Sequence, residues 1–142
     1  MAEKMRAEER ATSPHCVSIV ICDNVIEDKA TNNKTLVSLF NQILVHALPT
    51  KYARMFVVAS LTDGRGKCPI TLRVVHLSSA REIARVDGEL DSQDPLEVLD
   101  LVVEFRGLPF FEEGTYVAEV LSESAILGQR RFSVTKPKEQ SS

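Results

Sequence analysis

The chain has 142 residues, of which 44% are hydrophobic and 26% are charged, and its formal net charge is −3. This length suits one domain with a single core, and the composition excludes the disordered, fibrous and disulfide-built classes. Because the charge is slightly negative, nothing in it favours nucleic acid or an anionic membrane as a partner.

The cysteines and the first residues indicate the compartment. Cys16, Cys22 and Cys68 are an odd number without paired spacing, which suits a reducing environment, so we expect three reduced thiols. Residues 1–10 contain acids and bases but no apolar run, unlike a secretory signal peptide. No segment approaches the roughly 20 apolar residues of a membrane helix. We therefore predict a cytoplasmic protein that does not associate with membranes.

The composition divides the chain into three parts. Residues 1–14 are rich in helix formers but lack an apolar stripe, which predicts a frayed helix or a flexible arm. Residues 136–142 are polar and are expected to form a disordered tail. In residues 15–135, short runs of Val, Ile and Phe alternate with Asn, Asp, Gly and Ser, which is typical of strands and turns. This central part is predicted to be one domain.

The strand pattern continues along the whole domain. Residues 55–61 are apolar on both faces and are predicted to form a central strand. Residues 70–77 are predicted to form a strand with one solvent-exposed face. Residues 62–67 have the composition of a hairpin turn, and residues 82–90 suggest an irregular edge strand. The predicted strands span residues 17–25, 35–45, 55–61, 70–77, 82–90, 99–105, 115–121 and 126–135.

The segment 94–105 carries two conflicting signals. Asp94 before Pro95 is a good helix start, because it offers a capping oxygen and a preset φ. Against this, Leu99 and Leu101 begin an alternation with polar and β-branched residues that favours a strand. We favour a strand that is preceded by a single turn.

Seven or eight short strands without long helices for parallel crossovers predict an all-β fold, namely a two-sheet antiparallel β-sandwich. Gly114 lies two residues before Tyr116 at the start of a predicted strand, which is the pattern of a tyrosine corner in immunoglobulin-like sandwiches. We therefore predict an immunoglobulin-like sandwich in which Gly114 and Tyr116 form a structural corner. Since Ala118 stands where an antibody domain has its second cysteine, we expect no disulfide between the sheets.

No pattern of residues identifies an active site. The segment 64–67, Gly-Arg-Gly-Lys, resembles a phosphate-binding loop but lacks the other residues of that motif and leads into a strand. There is no G-x-S-x-G motif, and the histidines and cysteines lack zinc-site spacing. We predict a non-enzyme without a cofactor, while an enzyme whose site is dispersed over several strands stays an alternative.

Four acidic residues lie close together in the sequence. Asp87, Glu89, Asp91 and Asp94 occupy one loop-and-strand region, and Ca²⁺ takes carboxylate oxygens from such loops. No EF-hand register fits them. A solvated acidic edge is the simpler interpretation, and a sandwich whose loops bind calcium or a carbohydrate is the alternative.

The apolar stretch at Leu108, Phe110 and Phe111 is predicted to form a loop next to the corner. An exposed apolar loop of this kind can contact a protein, although one ring is expected to plug the end of the sandwich. The leading hypothesis is therefore a non-catalytic module that binds a protein partner of unknown identity. Sheet edges offer a second docking route through strand addition, and they also make a homo-oligomer possible.

Four segments together resemble an uncharacterised family of small bacterial β-sandwich proteins, known as a domain of unknown function. They are Ile-Cys-Asp-Asn-Val at 21–25, Lys-Thr-Leu-Val-Ser-Leu-Phe-Asn-Gln-Ile at 34–43, Asp-Pro-Leu at 94–96, and Leu-Pro-Phe through Gly-Thr-Tyr over 108–116. Ser38 stands where the family pattern usually has Gly, and Asn41 where it usually has Asp. The resemblance implies a compact sandwich in the bacterial cytosol and transfers no catalytic residue.

Overall fold

The structure, a computed structural model, describes residues 13–138 and folds this range into nine β-strands without a helix. The all-β prediction is confirmed, with one strand more than the upper number expected. The strands are β1 His15–Glu27, β2 Lys34–Leu39, β3 Gln42–Leu44, β4 Thr50–Thr62, β5 Gly66–His76, β6 Arg81–Ser92, β7 Leu99–Phe110, β8 Gly114–Ser122 and β9 Ala125–Thr135.

The strands form two sheets that pack face to face. One sheet has the order β2-β1-β4-β7 and the other the order β3-β9-β8-β5-β6. The pairs are antiparallel, except that the short β3 runs parallel to β9. This arrangement confirms the predicted immunoglobulin-like sandwich.

The core lies between the sheets, because alternate side chains of each strand point to the same face. In β5, Ile70, Leu72 and Val74 are buried while the residues between them are half-buried, as the sequence predicts for a strand with one wet face. The side chains that the core buries most completely come from both sheets, and the largest are Tyr116, Phe110, Phe132, Ile21, Met55, Leu61, Leu72 and Leu108. Each such side chain stabilises the fold by about 1.5–3 kcal/mol.

The outer face of the four-stranded sheet is also partly apolar. Cys22, Phe56 and Val58 are buried there and are surrounded by half-buried side chains from β1, β2 and β7. Arg54 covers part of this cluster, with its guanidinium carbon 5.6 Å from the centre of the Phe56 ring. Because β4 is covered on both faces and paired on both sides, the prediction that residues 55–61 form a central strand is confirmed.

The single strand predicted over residues 35–45 is wrong, because two strands in different sheets occupy this segment. After β2, the chain crosses to the second sheet and begins β3 at Gln42. Ser38, with φ at 55°, adopts the left-handed conformation that favours glycine, next to the point where β2 ends.

The hairpin predicted at residues 62–67 is also wrong. A turn does occur there, but it joins β4 in one sheet to β5 in the other. Since β4 already has β1 and β7 on its two sides, the next strand has no free edge to pair with in that sheet. The composition of the segment predicted a turn, but it could not predict which sheet the next strand joins.

Three other predictions agree with the structure. Asp94 accepts hydrogen bonds from the amides of Leu96 and Glu97, at 2.9 and 3.0 Å, so a single turn precedes β7. Residues 82–90 belong to β6, which is an edge strand with an irregular register to β5. The last two strands form the predicted hairpin.

Most of the predicted arm and tail, residues 1–12 and 139–142, lies outside the described residues. Pro14 is buried, and the amide of Lys136 donates to Glu113 Oε1 at 2.6 Å, so both described ends contact the domain. Cys16, Cys22 and Cys68 form no disulfide. Within residues 13–138, no helix is long and apolar enough to cross a membrane.

Candidate functional site

Tyr116 has the geometry of a tyrosine corner. Its ring is 1% exposed at the start of β8, and its hydroxyl donates a 2.6 Å hydrogen bond to the carbonyl of Glu112, four residues upstream. Burial raises the pKa of Tyr116, so the hydroxyl keeps its proton at neutral pH and remains a donor. This bond ties the connection between β7 and β8 to the core, which is a structural role.

A serine, a histidine and a glutamate meet beside this corner, but they do not form a catalytic triad. His76 is buried against Tyr116, and its Nδ1 lies 2.7 Å from Ser79 Oγ and 3.3 Å from Glu112 Oε1. In a nucleophilic triad, the serine and the acid bind different ring nitrogens. Here the other nitrogen, Nε2, lies 3.1 Å from the carbonyl of Glu113. The buried ring therefore links the end of β5 to the connection between β7 and β8.

We expect Tyr116→Phe to lower the free energy of unfolding by about 1 kcal/mol, because it removes one hydrogen bond and leaves the ring in place. Urea denaturation of both proteins measures this difference. Tyr52→Phe is the matched control, since the Tyr52 hydroxyl makes no hydrogen bond to the described residues. An equal effect of the two substitutions would contradict the corner.

The apolar stretch predicted to be a contact loop belongs mainly to the core, and that prediction is corrected. Leu108 and Phe110 lie in β7 and are buried; only Phe111 is exposed, at 43%. Gly107, with φ at 64°, lies where the alternation of buried residues shifts by one, so the strand continues to Phe110. Pro109 is compatible with this, because β7 is an edge strand.

The acidic residues do not converge on a cation. Asp87, Glu89 and Asp91 alternate along strand β6, so their side chains form a row on one exposed face, while Asp94 caps the turn before β7. The part of the chain that the structure describes contains no group of three potential metal ligands. The loop site for calcium is therefore not assembled by these four residues.

The structure reveals an open side of the sandwich where the edge strands β6 and β7 face each other, one from each sheet. Among the described strands, β6 pairs only with β5 and β7 only with β4, so each has one free backbone edge. Between them lies an apolar groove with a volume of about 100 Å³. Its apolar walls are formed by Ile70, Leu72, Val86, Leu90, Leu101 and Val103.

The register of β6 decides which side chains face this groove. Val86, Gly88 and Leu90 pair with buried residues of β5 and therefore point inward. Val86 is nevertheless 42% exposed. A Cβ at Gly88 would have no heavy atom within 4 Å, so the groove has space at this position. The alternation of residues 82–90 predicted an edge, but it could not predict the facing strand that completes the groove.

An ion-pair network supports the outer face of β6 at one end. Arg73 Nε lies 2.9 Å from Glu119 Oε2, and Arg85 Nε lies 3.0 Å from Glu82 Oε1. Asp87 extends this network, with Oδ1 3.6 Å from Arg85 Nη1 and 2.6 Å from the Thr71 hydroxyl. These side-chain contacts link β8, β5 and β6, in addition to the backbone pairing of β6 with β5 that continues to Ser92.

Three solved structures are distantly similar to the chain. An immunoglobulin-like protein from Pseudomonas aeruginosa is 12% identical, with a TM-score of 0.44 over 87% of this chain and 97% of that one. A β-glucosidase from Kluyveromyces marxianus is 14% identical, with a TM-score of 0.41 over 66% of this chain and 14% of that one. A β-D-glucoside glucohydrolase from Trichoderma reesei is 11% identical, with a TM-score of 0.43 over 88% of this chain and 18% of that one.

This chain spans less than a fifth of the β-glucosidase from Kluyveromyces marxianus and less than a fifth of the β-D-glucoside glucohydrolase from Trichoderma reesei. No curated protein matches the sequence. The model of one protein family, described as a family of unknown function (DUF6941), matches residues 17–135, which include nearly all of the sandwich. This match confirms the resemblance to a domain of unknown function. The chain belongs to this family of unknown function, DUF6941.

Proposed function

We propose that the chain is a non-catalytic interaction module that binds a protein partner at the open side, by adding an extended segment of that partner to β6. The observation that carries this proposal is the long free edge of β6 next to an apolar groove. Strand addition uses both features, because the backbone edge supplies hydrogen bonds and the groove accepts alternate side chains.

Several neighbouring side chains suit such a role. Val86 in the groove is partly exposed, and Leu96 and Val98, which lie before β7, are exposed apolar side chains outside it. Native proteins usually protect a long edge strand from unspecific pairing with charges, and β6 carries acids on its outward face. Because β6 has an apolar inward face and an acidic outward face, it favours partner strands whose side chains match both faces.

The same proposal includes a bacterial, cytoplasmic location. In support, Cys16, Cys22 and Cys68 form no disulfide, and burial raises the pKa of each thiol, which keeps it protonated and unreactive. The resemblance to a bacterial family points to the same compartment.

We expect Gly88→Val to abolish partner binding and to leave the fold intact. A Cβ at this position has no heavy atom within 4 Å, so the valine side chain enters the space of the groove, and a β-branched residue suits a strand better than glycine, by up to about 1 kcal/mol. The test is affinity capture from lysate of the source organism with the wild-type and variant proteins, combined with thermal unfolding of both.

Thr115→Val is the matched control, because it places a valine at an exposed position of β8 in the same sheet. The proposal predicts a protein that the wild type and the control retain and that Gly88→Val loses at unchanged stability. If all three proteins retain the same partners, binding does not occur at this groove.

A further inference from the structure

We propose, on the basis of the function proposed above, that the segment added to β6 alternates apolar residues with lysine or arginine. The groove determines the apolar half of this pattern. A strand paired with β6 places every second side chain on the inward face, over Val86, Gly88 and Leu90 and against Leu101 and Val103 of β7. The space at Gly88 admits one larger apolar side chain of the partner.

The row of acidic side chains on the outward face of β6 determines the charged half of the partner's pattern. Asp87, Glu89 and Asp91 are exposed and occupy successive outward positions of β6. Side chains directly opposite on a paired strand lie about 5 Å apart, so opposite charges there attract and like charges repel. A partner with basic residues at these positions is therefore favoured over a neutral or acidic one.

Glu89 and Asp91 are the two acids of this row that can form new ion pairs. Asp87 already contacts Arg85 and Thr71, whereas no lysine or arginine of residues 13–138 forms an ion pair with Glu89 or Asp91. Lys67 is the residue of β5 opposite Asp91, but the two side chains form no ion pair. Asp91 Oδ1 does accept a 3.0 Å hydrogen bond from Gln93 Nε2, which is a neutral group. Within residues 13–138, the Glu89 and Asp91 carboxylates therefore have no cationic partner, and both can pair with a cation of the added segment.

The same row disfavours a second copy of this chain as the occupant. If two β6 strands paired in antiparallel fashion around Gly88, Asp87 of one copy would lie opposite Glu89 of the other. Like charges directly opposite each other destabilise a strand pair. The structure therefore favours a basic segment of another protein over a homodimer at this edge.

The test uses three synthetic ten-residue peptides with the full chain. One alternates valine and lysine, the second alternates valine and glutamate, and the third has the composition of the first with all lysines grouped together. Fluorescence anisotropy measures the affinity, and amide hydrogen exchange locates the protected backbone. We expect only the alternating valine–lysine peptide to bind and to protect amides of β6.

The double substitution Glu89→Gln and Asp91→Asn is expected to weaken binding of this peptide about tenfold. Asp23→Asn with Glu27→Gln is the matched control, because it removes the same charge by the same two kinds of substitution at exposed positions of β1, which lies in the other sheet. Equal affinity of the lysine and glutamate peptides, or equal weakening by both double variants, would overturn the inference.

Gly88→Val separates this inference from the proposed function. If the variant abolishes binding of both valine peptides while charge has no effect, strand addition is supported and the basic partner is wrong. If the lysine peptide binds the variant as well as the wild type and protects no amide of β6, the proposed function itself fails.

Discussion

Replacing Phe110 by alanine is expected to lower the free energy of unfolding by about 3–5 kcal/mol, a large part of the total stability of a domain of this size. Phe110 is 0% exposed at the end of β7, and its ring lies 5.1 Å from Tyr116, 6.1 Å from Tyr52 and 6.2 Å from Phe132. Removing it leaves a cavity among three aromatic rings. Urea denaturation monitored by tyrosine fluorescence measures the loss.

The neighbouring residue supplies the control. Phe111→Ala removes a ring that is exposed and contacts the Arg81 guanidinium at 3.9 Å, so the expected cost is about 0.5–1 kcal/mol. Similar effects of the two substitutions would contradict the burial of Phe110.

Gly114→Ala is expected to have the second largest effect. The φ of Gly114 is 133°, which side chains rarely tolerate, and this backbone conformation costs about 1–3 kcal/mol for an alanine. A Cβ at this position would also lie 2.9 Å from Nε2 of the buried His76 ring. Moving that ring weakens its contact with the carbonyl of Glu113, at a further cost of about 1 kcal/mol.

Gly107→Ala separates the two causes. Gly107 also has a positive φ, at 64°, but a Cβ there would meet no atom within 4 Å. It therefore reports the cost of a left-handed backbone conformation without a steric clash, about 1–2 kcal/mol. Chemical denaturation of both variants should show a larger loss for Gly114→Ala, and a smaller loss would mean that the His76 ring yields without cost.

The sequence predicted correctly the features that depend only on residues close together in the chain. The alternation in residues 70–77 and 99–105 predicted both strands and their buried faces, because period-two patterning follows directly from strand geometry. The spacing of Gly114 and Tyr116 pointed to a corner whose hydrogen bond spans only four residues. Asp94 and Pro95 predicted the turn before β7 for the same reason.

The candidate site depended on contacts between distant parts of the chain. Leu108 and Phe110 were predicted to lie in a loop, yet strand β7 continues through the left-handed Gly107 as far as Phe110. The acids of β6 were identified from the sequence, but their position on the outward face of an edge strand was not. The groove beside them needs Leu101 and Val103 from β7, which no pattern within β6 encodes.

The sequence by itself therefore determined the all-β class, most strands, the wet and dry faces of β5 and the residues of the corner. Only the tertiary structure decided that residues 35–45 divide between two sheets, that the turn at 62–67 changes sheets, and which edges stay free. The physical reason is that hydrophobic period and turn composition describe a strand and its ends, whereas its neighbours are set by pairing and packing with residues far away in the chain.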